Sequence, residues 1–584
     1  MKGFYGKLLR INLTEKSYAV EDIPEQILRD YLGGKGLGSY LLLNNVPAGA
    51  DPLSPENRLI FTTGPAAGTI VPGSSRYGIY SKSPLTGLYA ESYAGGKVAP
   101  ALRRTGYDAI IMEGAAESPV YLEISDRQVL FRDAGHLWGM ETYAAEDAVL
   151  KDAHSPDAQA VVIGPAGEKM VRFACVENNY WRSAGRTGMG AVMGSKKLKA
   201  LVFHGQSRCA IADPGLLKEA VGNIRAKGKD NPGVQAYQTY GTPVMVKIMN
   251  GAKAFPTRYW SDGSFDRWPE ISGDAHQQKF QVKARSCPQC FLACGKDTVV
   301  TAGEHAGLRL EGPEYETIYA FGGLCCIDRL DRILYLNDLC DRLGIDTITA
   351  GNLAALVMEA VKRGRLDCGL KYGDAPGVAR LLKDMADRTG LGEDLSRGIK
   401  YFSKKWNLED IAVHVKGLEP PGYDPRVLKG MGLAYATSTR GACHLRATFY
   451  KPELSGIIDP AATEGKAALF IEYENRLTIF NTLILCVFFR DLFLWDDLIP
   501  VIKACTGWEY TRPELEKMAN NIVTLTRRFN AREGATKEYD TLPPRLFSQP
   551  INGGENIITR EELRFMVDDY YRLRGWDDTG NPLP

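Results

Sequence analysis

Cys287-Pro288-Gln289-Cys290-Phe291-Leu292-Ala293-Cys294 is a C-x2-C-x3-C array, a spacing that lets a turn bring three thiolates round one cube of iron and sulfur. A four-thiolate zinc site is the rival, but zinc usually takes two separated pairs, and no second pair follows. A fourth cluster ligand would come from Cys175, Cys209, Cys325, Cys326, Cys340, Cys368, Cys443, Cys486 or Cys505, and spacing does not choose among them. Glu316, in Gly312-Pro313-Glu314-Tyr315-Glu316, and His444, in Gly441-Ala442-Cys443-His444, carry groups able to exchange protons near neutral pH. Each also has a plainer reading, as a carboxylate favoured by a helix start or a histidine satisfied in the core. Two six-residue stretches stand apart, Asp341-Arg342-Leu343-Gly344-Ile345-Asp346 and Asn481-Thr482-Leu483-Ile484-Leu485-Cys486. The first ends a helix at a glycine, where freed backbone groups and two carboxylates can hydrogen-bond a polar heterocycle.

The elements that must position these groups follow from composition and pattern. The chain has 584 residues, with 71 Lys and Arg against 70 Asp and Glu, so the formal charge of +1 lacks the electrostatic footprint of a nucleic-acid binder. No apolar run suffices for a membrane-spanning helix, the N-terminus lacks a cleavable signal, and the 12 cysteines are too sparse for a disulfide scaffold. These features point to a cytoplasmic protein with no membrane segment. The 61 glycines, spread through the chain, point to tight turns and close backbone approaches to a ligand.

Residues 1–208 alternate short β-type runs (8–13, 58–64, 76–80, 108–114, 120–124, 129–134, 160–164 and 200–205) with glycine-rich turns, which predicts a β-rich first domain. Within it, Gly64-Pro65-Ala66-Ala67-Gly68 and then Gly73-Ser74-Ser75-Arg76 are echoed by Gly164-Pro165-Ala166-Gly167 and then Ser183-Ala184-Gly185-Arg186. Two copies would serve two similar ligands; two unrelated turns would give the same echo. GGKGLG at 33–38 follows a helix-like segment rather than a strand and is discounted as a dinucleotide loop. Residues 209–416 carry longer amphipathic stretches (316–343, 350–363, 376–388), predicting a mainly helical second domain. A Gly- and Pro-rich loop at 417–432 opens a third, 417–584, with helices near 465–480, 513–533 and 560–574. Such a loop is a linker or an active-site lining, and its density of turn residues favours the lining.

Taken in order, GKLLRINLT, DPLSPENRLIFTTGP, SKSPLTG, GYDAIIMEG, GMGAVMGSKKLKA, CPQCFLACG, GPEYET, GIDT, YDPR, RGACHLRA and YYRLRGW resemble the aldehyde ferredoxin oxidoreductase family along the whole chain. The resemblance implies an α+β, three-domain fold and a tungsten, or alternatively molybdenum, bis-pterin dithiolene beside a [4Fe-4S] cluster. Position by position, Cys287, Cys290 and Cys294 match three cluster ligands, and Cys486 the fourth. Asp341, Ile345 and Asp346 match the first pterin motif. The second departs from the family pattern, with Asn481 for its leading Asp and Ile484 for its Gly; Val487 follows it. Arg76, Tyr93, Gly95, Arg182, Ser183, Gly185, Arg186 and Arg440 match positions that embrace the cofactor, with a Mg2+ bridging its phosphates partly through the backbone carbonyls of Tyr93 and Ser183. Glu316 and His444, with Tyr315 and Tyr423 nearby, match the residues beside the metal: Glu316 as proton acceptor, His444 as the donor that orients the aldehyde oxygen, or the two exchanged.

The implied activity is oxidation of a small aldehyde to the carboxylic acid, with electrons passing singly through the cluster to ferredoxin or a small iron-sulfur subunit, an anaerobic chemistry. An aromatic acyl-CoA reductase subunit, sharing cofactor and cluster, is the alternative within the fold. A cluster-bearing electron carrier without pterins is a third reading, opposed by the joint survival of Arg76, Arg182, Asp341 and Asp346. The iron-bridged dimer of some relatives needs an E-x-x-H helix, and the matching stretch is Tyr335-Leu336-Asn337-Asp338, so another homo-oligomer or a hetero-complex is expected.

Overall fold

The computed structural model describes residues 1–583. The chain gathers into two compact units: one of 1–235, 286–292 and 475–533, the other of 236–285, 293–474 and 534–584. These units follow packing, whereas the divisions expected after 208 and 416 follow pattern along the chain. Among the described residues, no helix is long and apolar enough to cross a membrane.

The first unit is built on twelve strands that form two six-stranded sheets: β1 (Lys7–Asn12), β2 (Ser17–Asp22), β3 (Leu59–Thr62), β4 (Tyr77–Lys82), β5 (Tyr89–Ala94), β6 (Ala109–Glu113), β7 (Val120–Ile124), β8 (Val129–Asp133), β9 (Gln159–Val162), β10 (Val176–Asn178), β11 (Arg182–Ala184) and β12 (Leu198–Phe203). The first sheet runs β2-β1-β6-β3-β4-β5 and the second β11-β10-β9-β12-β7-β8. Read from β8, the second order is the first with six added to every strand. The single parallel pair also matches, β1 with β6 and β7 with β12. The chain therefore contains one motif twice. Alternation along the strands divides the side chains between faces: Leu122, Val161 and Leu201 join a core with Leu9, Phe61 and Ile110, while Tyr121, Ala160 and Val202 meet Ala145 and Val149 of the helix Thr142–Lys151.

The repeat refines the sequence echo. Gly64-Pro65 and Gly164-Pro165 both follow the third strand of their copy and are equivalent. Arg76 precedes a fourth strand and Arg186 follows a fifth, so those two are not. The equivalent of Tyr93-Ala94-Gly95, which closes β5, is Ser183-Ala184-Gly185, which closes β11. These strands are neighbours across the two sheets, with Ser92 Oγ donating to the Gly185 carbonyl at 2.9 Å.

The second unit is mainly helical but includes a sheet that alternation did not reveal, β13 (Gln281–Arg285), β14 (Gly295–Val299) and β15 (Arg309–Glu311), ordered β13-β14-β15. The stretch 316–343 is not one helix. A short turn, Tyr315–Thr317, runs into a π-helix, Ile318–Leu324; Cys326 then takes φ 57°, and the helix Leu330–Leu343 follows. Apolar spacing continues through the break because both sides are buried, which hid it from periodicity. The late helices stand where expected: Arg560–Arg574 in this unit, Arg512–Arg532 in the first, and Lys466–Leu483 running from one into the other.

Candidate functional site

In the second unit Glu316 and His444 meet. Glu316 Oε1 lies 3.6 Å from His444 Nε2, and both side chains are about 15% exposed. The other carboxylate oxygen, Oε2, accepts the Gly422 N–H at 2.9 Å. The 417–432 loop thus lines this pair rather than linking domains. Its conformation is fixed by buried phenols: Tyr319 donates to the Pro420 carbonyl at 3.0 Å, Tyr315 to Gly422, and Tyr435 to Pro421 and Tyr423 at 3.2 and 2.9 Å. Burial pushes the Tyr315, Tyr423 and Tyr435 hydroxyls well above the usual phenol value, with the Glu316 carboxylate adding to it, so each keeps its proton. Glycine is required at 422, where a Cβ would stand 2.7 Å from Tyr319 Cγ and 2.9 Å from the Tyr315 hydroxyl.

Tyr423 lies between two rings, 5.3 Å from His444 and 4.2 Å from Tyr450, on which it stacks. Tyr450 and Gly422 were missed by motif reasoning; the density of turn residues around Pro420 and Pro421 was the available signal for Gly422, and nothing in the sequence marked Tyr450. Beside His444, Cys443 is buried and its sulfur accepts from Arg440 Nη2 at 3.1 Å and from the Leu445 N–H at 3.4 Å. Cys325 is likewise buried, its Sγ on the Gly351 carbonyl at 3.4 Å, as a packed small side chain.

Asp341 accepts from Asn337 Nδ2 at 2.7 Å, and Asp346 caps the helix Thr347–Lys362 through the Thr349 N–H at 2.9 Å. Between them Gly344 takes φ 74°, and the Ile345 N–H returns to the Cys340 carbonyl at 2.9 Å, closing the helix in a Schellman turn. In the first unit the second six-residue stretch has the same shape: Ile484 takes φ 61° and the Leu485 N–H returns to Phe480 at 2.8 Å. A β-branched residue is strained in this left-handed region. Its surroundings hold it: a Cβ on Gly34 would collide with the Asn481 carbonyl oxygen, and one on Gly64 would stand 2.7 Å from that of Leu483. The GGKGLG segment is thus a helix start, Gly34–Asn45, whose glycines let it abut this turn.

Around the turn are the first unit's candidate ligand groups. Arg76 Nη1 donates to the Leu485 carbonyl at 3.1 Å, and its guanidinium lies 5.2 Å over the Tyr93 ring. Asn481 is buried, and its Oδ1 has no hydrogen-bond partner among the described residues. Val487 follows in a 3-10 turn, Val487–Phe489, held by Arg490 Nη1 on its carbonyl at 2.9 Å. Arg182, Ser183, Gly185 and Arg186 occupy or follow β11, with Ser183 Oγ donating to Glu177 at 2.6 Å. The fully buried Glu91 accepts from Lys35 Nζ at 3.2 Å and from the Tyr93 hydroxyl at 2.7 Å, bracing the Tyr93 ring beneath Arg76. A buried acceptor without a donor, a guanidinium and the twinned ends of β5 and β11 fit a two-fold, phosphate-bearing heterocycle such as a pterin pair.

Among the described residues none of the twelve cysteines is in a disulfide. The Gly96 N–H points to Cys287 Sγ at 3.3 Å, and a Cβ on Gly95 would come within 3.2 Å of that sulfur. The Cys486 N–H is held by the Gly73 carbonyl at 2.8 Å. Burial raises the Cys486 thiol pKa, Arg76 and Arg182 lower it, and Cys287 is close enough to raise it further. Two thiols, Cys287 and Cys486, near two guanidinium groups and with a backbone N–H aimed at one sulfur, fit one side of an iron-sulfur cluster. Among the described residues no group of three or more His, Cys, Asp or Glu is placed to hold a metal ion.

Comparison with known proteins bears on this arrangement. Residues 8–205 match the family model described as "Aldehyde ferredoxin oxidoreductase, N-terminal domain" and residues 219–584 that described as "Aldehyde ferredoxin oxidoreductase, domains 2 & 3". The chain is 36% identical to the tungsten-containing aldehyde ferredoxin oxidoreductase of Pyrococcus furiosus, over 99% of this chain and 97% of that one. It is 29% identical to the WOR-like subunit of an aliphatic sulfonate oxidoreductase of the same organism, over 100% and 96%. Among solved structures it matches the active-site complex BamBC of benzoyl coenzyme A reductase with 1,5-dienoyl-CoA, at TM-score 0.87 and 25% identity, over 100% of this chain and 96% of that chain. The α+β, three-domain organisation expected from the sequence is the one these matches share.

Proposed function

The chain belongs to the aldehyde ferredoxin oxidoreductase family, and from that premise we propose that it is a tungsten-dependent oxidoreductase converting small aldehydes to carboxylic acids. The carrying observation is the Glu316–His444 pair at 3.6 Å, lined by a loop that tyrosines lock. Cys287, Cys290, Cys294 and Cys486 would hold a [4Fe-4S] cluster. Arg76, Gly95, Arg182, Gly185, Arg186, Asp341, Ile345, Asp346, Arg440, Asn481 and Val487 would hold the two pterins, with a Mg2+ on the carbonyls of Tyr93 and Ser183. When bound, the tungsten bis-pterin supplies a two-electron acceptor and the cluster a one-electron exit.

The protein's part is orientation and proton handling. With Oε2 fixed by the Gly422 N–H, Glu316 presents Oε1 towards His444 and serves as the base that takes the proton released on hydration of the aldehyde. His444 donates to the aldehyde oxygen as charge builds on it, and Tyr423, stacked on Tyr450, limits tilting of the imidazole. The phenols spend their protons on loop carbonyls, so Tyr315 positions rather than reacts.

Electrons would leave to ferredoxin or a small iron-sulfur subunit; relatives described as a subunit and as part of a complex support such a partner. The same structural match supports a second reading, reduction of an aromatic acyl-CoA thioester's ring. The test is tungsten, molybdenum and iron analysis of anaerobically purified protein with dye-linked assays on aldehydes and on acyl-CoA. Tungsten with aldehyde-dependent dye reduction is the expected result. The same metals with acyl-CoA turnover alone would transfer the chain to the second reading, and iron without tungsten or molybdenum would overturn both.

A further inference from the structure

Lys296 is a buried cation that no sequence motif singles out. It is 1% exposed, and among the described residues its Nζ makes no ion pair. Its partners are carbonyls: Tyr237 at 2.9 Å, Ala293 at 2.8 Å, Gly295 at 3.2 Å and Cys294 at 3.3 Å. Three belong to consecutive residues centred on Cys294. An ammonium has three protons to give and takes up carbonyl partners readily, but carbonyl dipoles alone compensate a buried charge poorly. Burial works against the Lys296 charge, while Cys294 first, and then the Glu314 and Glu311 carboxylates, favour it, so the ammonium sits among anionic groups of which Cys294 is the foremost.

The loop is shaped to this arrangement. Ala293 takes φ 43°, and its carbonyl accepts from the ammonium at 2.8 Å. In a trans peptide the amide hydrogen opposes the carbonyl, so the Cys294 N–H is left on the side of that peptide away from Lys296. Gly241 closes over the same loop: at φ 67°, a Cβ there would stand 2.6 Å from the Cys294 carbonyl oxygen and 3.4 Å from Lys296 Cγ. The position of Lys296 in β14, paired with Ala284, anchors the side chain from the sheet.

We propose that Lys296 is a positioning and charge-tuning residue for the cluster that Cys294 would ligate: its ammonium fixes the Cys294 loop and raises the cluster's reduction potential. The inference rests on the cluster assignment above. Each reduction adds one electron to an assembly that four thiolates already make negative, so a fixed positive charge beside one ligand favours the reduced form. Net charge and hydrogen bonding near the sulfurs are the terms that move such potentials.

The test is an EPR-monitored redox titration of the anaerobically purified full chain, alongside Lys296→Met, Lys296→Gln and Lys296→Arg, with iron content and thermal unfolding measured for each. Both neutral variants are expected to titrate at a more negative potential than the parent, and Lys296→Arg, which keeps the charge, to shift less. Lys296→Gln retains a donor for the loop carbonyls and reads the charge effect even where the Met variant does not fold. Neutral variants that keep iron and the parental midpoint would overturn the proposal, as would an Arg variant displaced as far as the neutral ones. A parent chain lacking both iron and the cluster signal would instead overturn the cluster assignment itself.

Discussion

Glu316 and His444 are separated by 128 positions in the chain, yet Glu316 Oε1 and His444 Nε2 stand 3.6 Å apart, and the second oxygen of the same carboxylate is tied to the Gly422 N–H. One side chain is therefore both anchored and presented. Glu316→Gln keeps an acceptor for Gly422 but removes the base, so kcat for aldehyde oxidation should fall by roughly 10²-fold or more at unchanged tungsten content. His444→Gln should fall comparably, and the double variant little further, because the two act as a unit. Steady-state kinetics with metal analysis checks this; undiminished turnover in either variant would remove that residue from the chemistry.

The strap carrying Gly422 and Tyr423 ends on a wholly buried ion pair. Asp424 accepts from Arg426 Nε and Nη2 at 2.9 and 2.6 Å, while Arg426 also reaches the Trp260 carbonyl at 2.8 Å. Asp424→Asn leaves the guanidinium buried without its counter-charge and should cost about 3–5 kcal/mol. A lowered thermal midpoint is expected, together with loss of kcat as Tyr423 loses its anchor. Asp424→Leu combined with Arg426→Met should be milder than Asp424→Asn alone.

Gly34 and Gly49 both have positive φ, 42° and 74°, but their surroundings differ. A Cβ at 34 meets the Asn481 carbonyl; one at 49 meets nothing within 4 Å. Gly49→Ala should cost roughly 1–2 kcal/mol of backbone strain. Gly34→Ala should cost more and lower pterin occupancy as well, because it displaces the turn carrying Asn481. Thermal shift and tungsten content of the two variants decide it.

His276 is buried, with Nε2 2.9 Å from Thr298 Oγ1. Burial first, and then the Lys296 ammonium, lower its pKa from 6.5 to about 4. The folded value lies below the unfolded one, so the folded chain binds fewer protons between them. The stability this group contributes is present above pH 6.5 and is lost as pH falls towards 4. Thermal midpoints across that window should decline for the parent and decline less for His276→Gln; parallel curves would refute the assignment.

The meeting of Glu316 with His444 and the β-rich start were legible because each depends on local spacing or on a strong ordered likeness, and of the expected cysteine set the structure brings Cys287 beside Cys486. The helix of 466–483 was legible for the same reason. The break at Cys326 was not, since apolar periodicity runs through it, and neither were Tyr450 and Lys296, whose importance comes from what lies beside them in space. The echo of Gly64-Pro65 in Gly164-Pro165 was readable, but its continuation to Arg76 and Arg186 paired the wrong strands; only topology shows Tyr93 and Ser183 to be the equivalent pair.

The left-handed turn at Ile484 bears on how such a protein can change. The first six-residue stretch makes its turn with Gly344 at φ 74°, and here a β-branched residue makes the same turn at φ 61°. The constraint lies outside the turn, on Gly34 and Gly64, where an added side chain would collide with the carbonyls of residues 481–483. Position 484 is thus open to drift while its neighbours are not: a library randomised at 484 should retain many functional members, and one randomised at 34 very few. What holds this turn is written in the residues that surround it, and a search for a glycine within the turn would pass it by.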